Sequence, residues 1–331
     1  MIFVENNNLV PQLNHAIELY LMEHCDEDVF MFWRNRPSIL IGRYQNIHLE
    51  VNLDYTEQKN MDVVRRLSGG GAIYCDTDNM QYSFITKKSN EDVENSFKRF
   101  AFPVVDALQS LGLNAEFTGR NDIQIDQAKV SGNAQFQRND KILHHGTLLF
   151  KANIENITNS LKARDIKFKG REVQSVRSRV GFIGDYVDMD VQSFMGHIED
   201  FIKKKYQIST THRLNSQEMQ KIQKISDDIF ASPEWNFGRA SFNQLRNAEK
   251  YSCGIVEISL DIKDGKIDDI AIEGDFFSER GVDELTDLIK GLPANREDIT
   301  AALSNVDIHP YIKGMHKEFL IEDIVKLCKR S

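Results

Sequence analysis

Three consecutive glycines, Gly69, Gly70 and Gly71, follow Arg65-Arg66-Leu67-Ser68 and lie between two short strand-forming runs, Val63-Val64 and Ala72-Ile73-Tyr74-Cys75. Without a Cβ, successive residues can turn backbone N–H groups toward one point and let a ligand approach closely. The two arginines add cationic forks suited to phosphate or carboxylate. Strand, glycine loop and strand, with another apolar run over residues 81–86, predict a sheet whose loop forms an anion-binding lip. It is not a P-loop, because GxxxxGK followed by Ser or Thr is absent, and GxGxxG is absent too.

The rest of the chain restricts what surrounds that loop. At 331 residues with 41% apolar content, two domains are expected, and wholesale disorder is excluded. No run approaches the length of a membrane span, and residues 1–8 lack the basic start and apolar core of a secretory signal. Four cysteines, at 25, 75, 253 and 328, are far apart and form no CxxC pair, which suits a reducing cytoplasm. A net charge of −9 argues against general nucleic-acid affinity. One segment departs from it: residues 162–179 hold seven basic and two acidic side chains.

Periodicity predicts helices over residues 14–23, from about 90 to 110, over 190–205 and 216–230, and over 282–290, 296–303 and the C-terminus. Ser89 and Asp92 suggest a capping box for the second of these, with a kink at Pro103. Strands are expected at 29–33, 38–44, 122–125 and 143–150. Alternation over 255–262 and 267–272 around Asp264-Gly265 predicts a hairpin. The chain thus divides into residues 1–244 and a small α+β unit, 245–331.

Two further segments carry chemistry. Gly119-Arg120-Asn121-Asp122 places two oxygen ligands side by side, the hard donors that Mg²⁺ takes. Lys129, entering an expected turn at Ser131-Gly132, can sit on developing negative charge. His144 and His145 precede Gly146-Thr147. Neighbours on a strand point to opposite faces, so the pair does not suit one metal ion, and a hydrogen-bonded structural histidine is the expected role.

Together these blocks resemble the lipoate–protein ligases. The matching stretches are RRLSGGGAIYCD (65–76), GRND (119–122), KVSGNAQ (129–135), HHGTLLF (144–150), SVRSRV (175–180) and WNFG (235–238), with IGRYQN (41–46) before them. Cys75 departs from the pattern, since many relatives carry histidine before the aspartate, and a half-buried thiol is expected there. The resemblance implies an α+β chain: a mixed-sheet catalytic domain of the biotin and lipoate ligase fold, akin to class II aminoacyl-tRNA synthetases, and a small C-terminal accessory domain. It implies that ATP and lipoate form lipoyl-AMP, which a lysine of an acceptor lipoyl domain then attacks. Glycine cleavage H protein and the E2 subunits of 2-oxoacid dehydrogenases are the acceptor types. By motif, Arg66, Gly71, Ala72, Ile73, Tyr74 and Lys129 would hold ATP; Ser68, Gly70, Gly71, His145 and Lys129 would hold lipoate. Lys129 and Arg66 are the catalytic candidates, Asn121 and Asp122 the Mg²⁺ candidates. Lys167, Lys169, Arg177 and Arg179 would face the acceptor and the adenylate.

Adenylation brings an anionic carboxylate onto an anionic phosphate, so charge neutralisation comes first. The acyl chain needs an apolar tunnel, expected around Val63, Ile73 and Phe84. Two other readings stay open: an octanoyl or lipoyl transferase of the same fold, which would need an activated cysteine, and a non-catalytic lipoate-binding protein.

Overall fold

The computed structural model describes residues 1–162, 180–238 and 243–330. Strands β1 (Ile2–Glu5) and β2 (Val29–Trp33) lead into three short ones, β3 (Ser38–Ile41), β4 (Asp62–Arg65) and β5 (Ile73–Cys75). Then come β6 (Met80–Lys87), β7 (Ala115–Thr118), β8 (Asp122–Ile125), β9 (Ala128–Arg138), β10 (Lys141–Leu148) and β11 (Thr211–Arg213). Eight of these form one mixed sheet in the order β11-β1-β2-β6-β10-β9-β8-β7, parallel across β11-β1-β2 and antiparallel beyond. The short strands form a second sheet, β4-β3-β5.

Alternation along β2 shows how the main sheet is covered. Phe30 and Phe32 pack with the helices Val93–Gln109 and Val191–Lys205 on one face. Val29, Met31 and Trp33 pack with the helix Pro11–His24 on the other. All five residues are buried, as expected of a strand inside a sheet covered on both sides. The small sheet lies on the Trp33 side, where Leu40, Val64 and Leu67 join the same apolar cluster. In the C-terminal unit, β12 (Leu245–Tyr251), β13 (Gly254–Lys263) and β14 (Lys266–Gly274) form an antiparallel sheet, with the helix Lys317–Cys328 in its apolar core.

Several expectations need correction. Ser131 and Gly132 do not form a turn: both lie within β9, whose neighbours β8 and β10 take up its backbone groups on either side. Asp92 alone caps its helix by accepting from the Asn95 N–H, while Ser89 bonds to Glu91; no capping box forms. The helix itself runs through Pro103 to Gln109, the extent its spacing predicts. The expected strand 38–44 ends at Ile41, and the helix expected over 282–290 contracts to Asp283–Asp287.

Candidate active site

The glycine loop is held from beneath by Arg66. Its guanidinium donates to the carbonyls of Gly69 (2.7 Å), Gly71 (2.8 Å) and Leu40 (3.1 Å), and its Nε to Ser68 Oγ (3.1 Å). Burial draws its pKa down to about 10, so it stays protonated at neutral pH. Gly70 has φ +91°, a left-handed conformation that side chains rarely adopt. A Cβ at Gly69 would run into the Phe276 carbonyl of the C-terminal unit, and the Phe277 ring stands against Gly70. Tyr44 stacks on Phe276 with ring centroids 5.0 Å apart, so the C-terminal unit closes directly over the loop.

Arg65 is not a second ligand fork. It is fully buried and donates to the carbonyls of Gly42, Arg43, Gln45, Trp235 and Asn236. It ties the IGRYQN and WNFG segments to the end of β4.

Beneath the loop lies a cavity of about 160 Å³. Gly70, Gly71, Ala72, Ile73, Asn121 and Lys129 line it, together with Arg66, Gly132, Asn133 and Ala134. His145, Gly146 and Thr147 come from β10, and His15, Trp33, Leu40 and Gln81 complete the lining. Exposure orients the cavity. The Lys129 side chain is 38% exposed, whereas His15, Trp33 and Leu40 are each 1% exposed; the lysine marks the mouth and the other three the floor. Lys129 Nζ sits 2.7 Å from Asp122 Oδ1.

Most of the expected site residues therefore meet, but not all face the cavity. The Tyr74 side chain packs away from it with Ile39 and Ile41, and its hydroxyl accepts from Asn156 Nδ2 at 3.1 Å. Ser68 stands behind the lining and contacts His145 Nε2 at 2.6 Å. Of the residues expected to form the tunnel, Ile73 does so; Val63 joins a separate cluster, and Phe84 stacks between Phe30 and Phe100 on the opposite face of the sheet. Leu40, Trp33 and Ala134 take their place. Cys75 is fully buried rather than half-buried, and burial, with Asp76 beside it, pushes its thiol up to about 12. Lys167, Lys169, Arg177 and Arg179 lie outside the described residues.

Alternation on β10 separates the two histidines. His144 turns to the helical side, contacts Gln135 Nε2 (3.1 Å) and Asn133 Oδ1 (3.1 Å), and burial holds its pKa well below the usual value. His145 turns into the cavity and meets Glu18, which sequence reasoning missed. Glu18 is 1% exposed, and its carboxylate contacts His145 Nδ1 (2.9 Å), His15 Nδ1 (2.9 Å) and Ser83 Oγ (2.6 Å). Burial alone would raise its pKa, but the attraction of His145 and the hydrogen bonds from both histidines more than offset that and hold it ionised. No local pattern marks it, because Glu18 lies off the apolar stripe of Leu13, Ile17, Tyr20 and Leu21 in the first helix.

For Mg²⁺ the site offers little protein. Among the described residues no three His, Cys, Asp or Glu side chains gather as metal ligands. Asp122 supplies one carboxylate, and the Asn121 amide donates to the Asn133 carbonyl at 2.7 Å. That donor set fits an ion bringing waters and phosphate oxygens, the usual habit of Mg²⁺ at nucleotides. Among the described residues no helix is long and apolar enough to cross a membrane.

Residues 10–203 match the lipoyl protein ligase A/B catalytic domain family, and residues 242–324 match the bacterial lipoate protein ligase C-terminus. The chain is 39% identical over 326 residues to lipoate–protein ligase 1 of Staphylococcus aureus, covering 97% of this chain and 99% of that one. It is 37% identical over 329 residues to lipoate–protein ligase LplJ of Bacillus subtilis, with the same coverage. Among solved structures, Plasmodium falciparum LipL1 in complex with lipoate superposes with a TM-score of 0.78 at 20% identity, over 100% of this chain and 99% of that one. A lipoate–protein ligase A bound with ATP superposes with a TM-score of 0.62 at 22% identity, over 72% of this chain and 98% of that one. The mixed sheet flanked by helices, followed by a small α+β unit, is thus the architecture that the motifs implied.

Proposed function

This chain belongs to the lipoate–protein ligase family and is an ATP-dependent ligase, and we propose that it joins lipoate to an acceptor lysine in two steps within the cavity beneath the glycine loop. The observation that carries this reading is the convergence of the Arg66-held loop, Lys129 and His145 on one cavity with a charged mouth and a buried floor.

In the first step a lipoate carboxylate oxygen attacks the α-phosphorus of ATP, and pyrophosphate leaves. Two anions must approach, and Lys129 at the mouth is the cation placed to neutralise both. Arg66 acts differently: with its donors committed to the loop carbonyls, it shapes the lip formed by Gly70 to Ile73, whose backbone would cradle the nucleotide. Ser68 and Tyr74 serve that lip as supports rather than as ligands. His145, with Gly70 and Gly71, would line the acyl chain. Mg²⁺ would sit on Asp122, with Asn121 beside it, and supply charge neutralisation at the phosphates. In the second step the acceptor's lysine amine attacks the acyl carbon and AMP leaves; orientation and exclusion of water dominate there. Phe276 and Phe277 over the loop support exclusion of water.

We assign residues 1–244 to the catalytic unit and 245–331 to the accessory unit. The acceptor is a lipoyl domain of the H protein or E2 type, which Lys167, Lys169, Arg177 and Arg179 would steer in. The transferase reading is disfavoured by Cys75, whose buried, protonated thiol does not line the cavity.

Lipoate-dependent exchange of pyrophosphate into ATP, measured without any acceptor, tests the proposal. The wild-type chain should exchange, and Lys129→Ala should lose roughly two orders of magnitude or more while staying folded. No exchange by the wild type would refute the ligase reading, and near-normal exchange by a folded Lys129→Ala would refute the role of the lysine.

A further inference from the structure

The protons in the floor of the cavity follow from one charge. The Glu18 carboxylate is ionised and can only accept hydrogen bonds. Trp33 Nε1 donates to Ser83 Oγ (2.8 Å), so the Ser83 proton goes on to Glu18 (2.6 Å). His145 gives Glu18 its Nδ1 proton (2.9 Å) and meets Ser68 Oγ through Nε2 (2.6 Å). His15 likewise holds its proton on Nδ1, 2.9 Å from Glu18 Oε2. Burial keeps its ring neutral, against the pull of Glu18. The other ring nitrogen, Nε2, is then a bare lone pair. It is buried with no hydrogen-bond partner, on a residue that lines the cavity.

A second acceptor lies on the same lining. The Gln81 amide nitrogen is 3.4 Å from Cys75 Sγ, and its carbonyl oxygen is buried and unpartnered. Gln81 is 2% exposed and belongs to the floor with His15. The floor of an acyl pocket thus carries two unmet acceptors and no unmet donor among these groups. Leaving such atoms dry is costly, so a fitting ligand should bring hydrogens to them.

Building on the ligase reading above, we infer that His15, with Gln81, reads the far end of the acyl substrate, and that the pocket favours the open dithiol, dihydrolipoate, over the cyclic disulfide and over octanoate. The dithiolane ring has two sulfurs and no donor, so its lone pairs would face the lone pair of His15. The octanoate tail has neither donor nor acceptor. The open form carries two S–H groups, one for each unmet acceptor. A thiol is a weak donor, so one such bond is expected to favour the reduced acid by roughly fivefold.

The test is anaerobic pyrophosphate exchange by the full chain with dihydrolipoate, lipoate and octanoate in turn. The wild type should show a kcat/KM for dihydrolipoate about fivefold or more above that for lipoate. His15→Leu should bring this ratio close to one and raise octanoate relative to both, a change in selectivity that loss of fold or of general activity does not produce. Glu18→Gln gives a second handle: an amide N–H₂ opposite His15 Nδ1 moves the ring proton to Nε2, and the preference for the thiol should vanish. A wild-type ratio near one, or a ratio unchanged by His15→Leu, overturns the inference, and the first of these decides even if the variant does not fold. If none of the three acids supports exchange, it is the ligase reading that falls; if all three support it equally, the ligase stands and the reading of the floor falls.

Discussion

Arg65 is the residue whose placement makes the sharpest demand on stability. Its side chain is fully buried, and its guanidinium reaches backbone carbonyls of two distant segments: Gly42 (3.0 Å), Arg43 (3.1 Å) and Gln45 (2.7 Å) on one side, Trp235 (3.0 Å) and Asn236 (2.9 Å) on the other. A lysine keeps the charge but has three N–H groups on one atom, so at most three of these five carbonyls can be served, and from one side only. At about 1–1.5 kcal/mol for each buried carbonyl left unpaired, Arg65→Lys should cost roughly 2–3 kcal/mol. Arg65→Met strands all five carbonyls but also removes a buried charge whose desolvation was unfavourable, so its cost should be about 3–5 kcal/mol rather than a full sum. Urea unfolding followed by tryptophan fluorescence suits the measurement, because Trp235 is one of the two tryptophans and Arg65 binds its carbonyl. Pyrophosphate exchange per folded molecule should fall far less than stability does, since Arg65 does not line the cavity. Loss of exchange in Arg65→Lys with stability unchanged within 0.5 kcal/mol, about the scatter of ordinary surface changes, would refute the structural assignment and restore a ligand role.

Three more outcomes follow from the site and its surroundings. Cys75→Ser should retain most ATP-dependent ligation, because the thiol is buried and protonated; an acyl thioester trapped on Cys75 from a carrier donor without ATP would move the chain to the transferases. His15 and His144 have depressed pKa values when folded, so the unfolded chain binds more protons below their ordinary value of 6.5. Stability from these groups is complete above that pH and should fall with acid by up to about 1.4 kcal/mol per pH unit for each histidine, with Glu18 adding to the loss below its ordinary 4.5; equal unfolding free energies at pH 7.5 and 5 would refute this. Lys167→Glu with Lys169→Glu should raise the KM for an acidic lipoyl domain at low salt and leave lipoate adenylation nearly unchanged; equal KM values would remove the steering role.

Much of this was legible in advance, and the misses have definite physical causes. The limits of β2, β8 and the helix Arg296–Leu303 agree with their sequence patterns, because each is bounded by turn or cap residues. The sequence pattern does not show strands β1, β7, β9, β11 and β12. β1, β7 and β11 have three or four residues, and β12, Leu-Arg-Asn-Ala-Glu-Lys-Tyr, is largely polar and lies at the edge of its sheet, where one partner strand suffices. Ser131-Gly132 read as a turn because local propensity cannot see that β8 and β10 both claim the backbone of β9.

In the site, the triple glycine stands out by residue type, whereas Lys129 and His145 are singled out only by the motifs that hold them, KVSGNAQ and HHGTLLF; all three line one cavity. Glu18 and His15 were missed for the opposite reason. On a surface helix, polar residues are the ordinary filling of the solvent face, and only the burial of the whole Pro11–His24 helix reveals that this one has almost no such face. The error over Arg65 was avoidable. The period-two rule that separates His144 from His145 applies equally to Arg65 and Arg66 at the end of β4: adjacent side chains on a strand cannot both serve one ligand. The rule predicts one arginine at the loop and one in the packing beneath it. Which is which depends on the WNFG segment, about 170 residues further along, whose carbonyls claim Arg65 and leave Arg66 to the glycines.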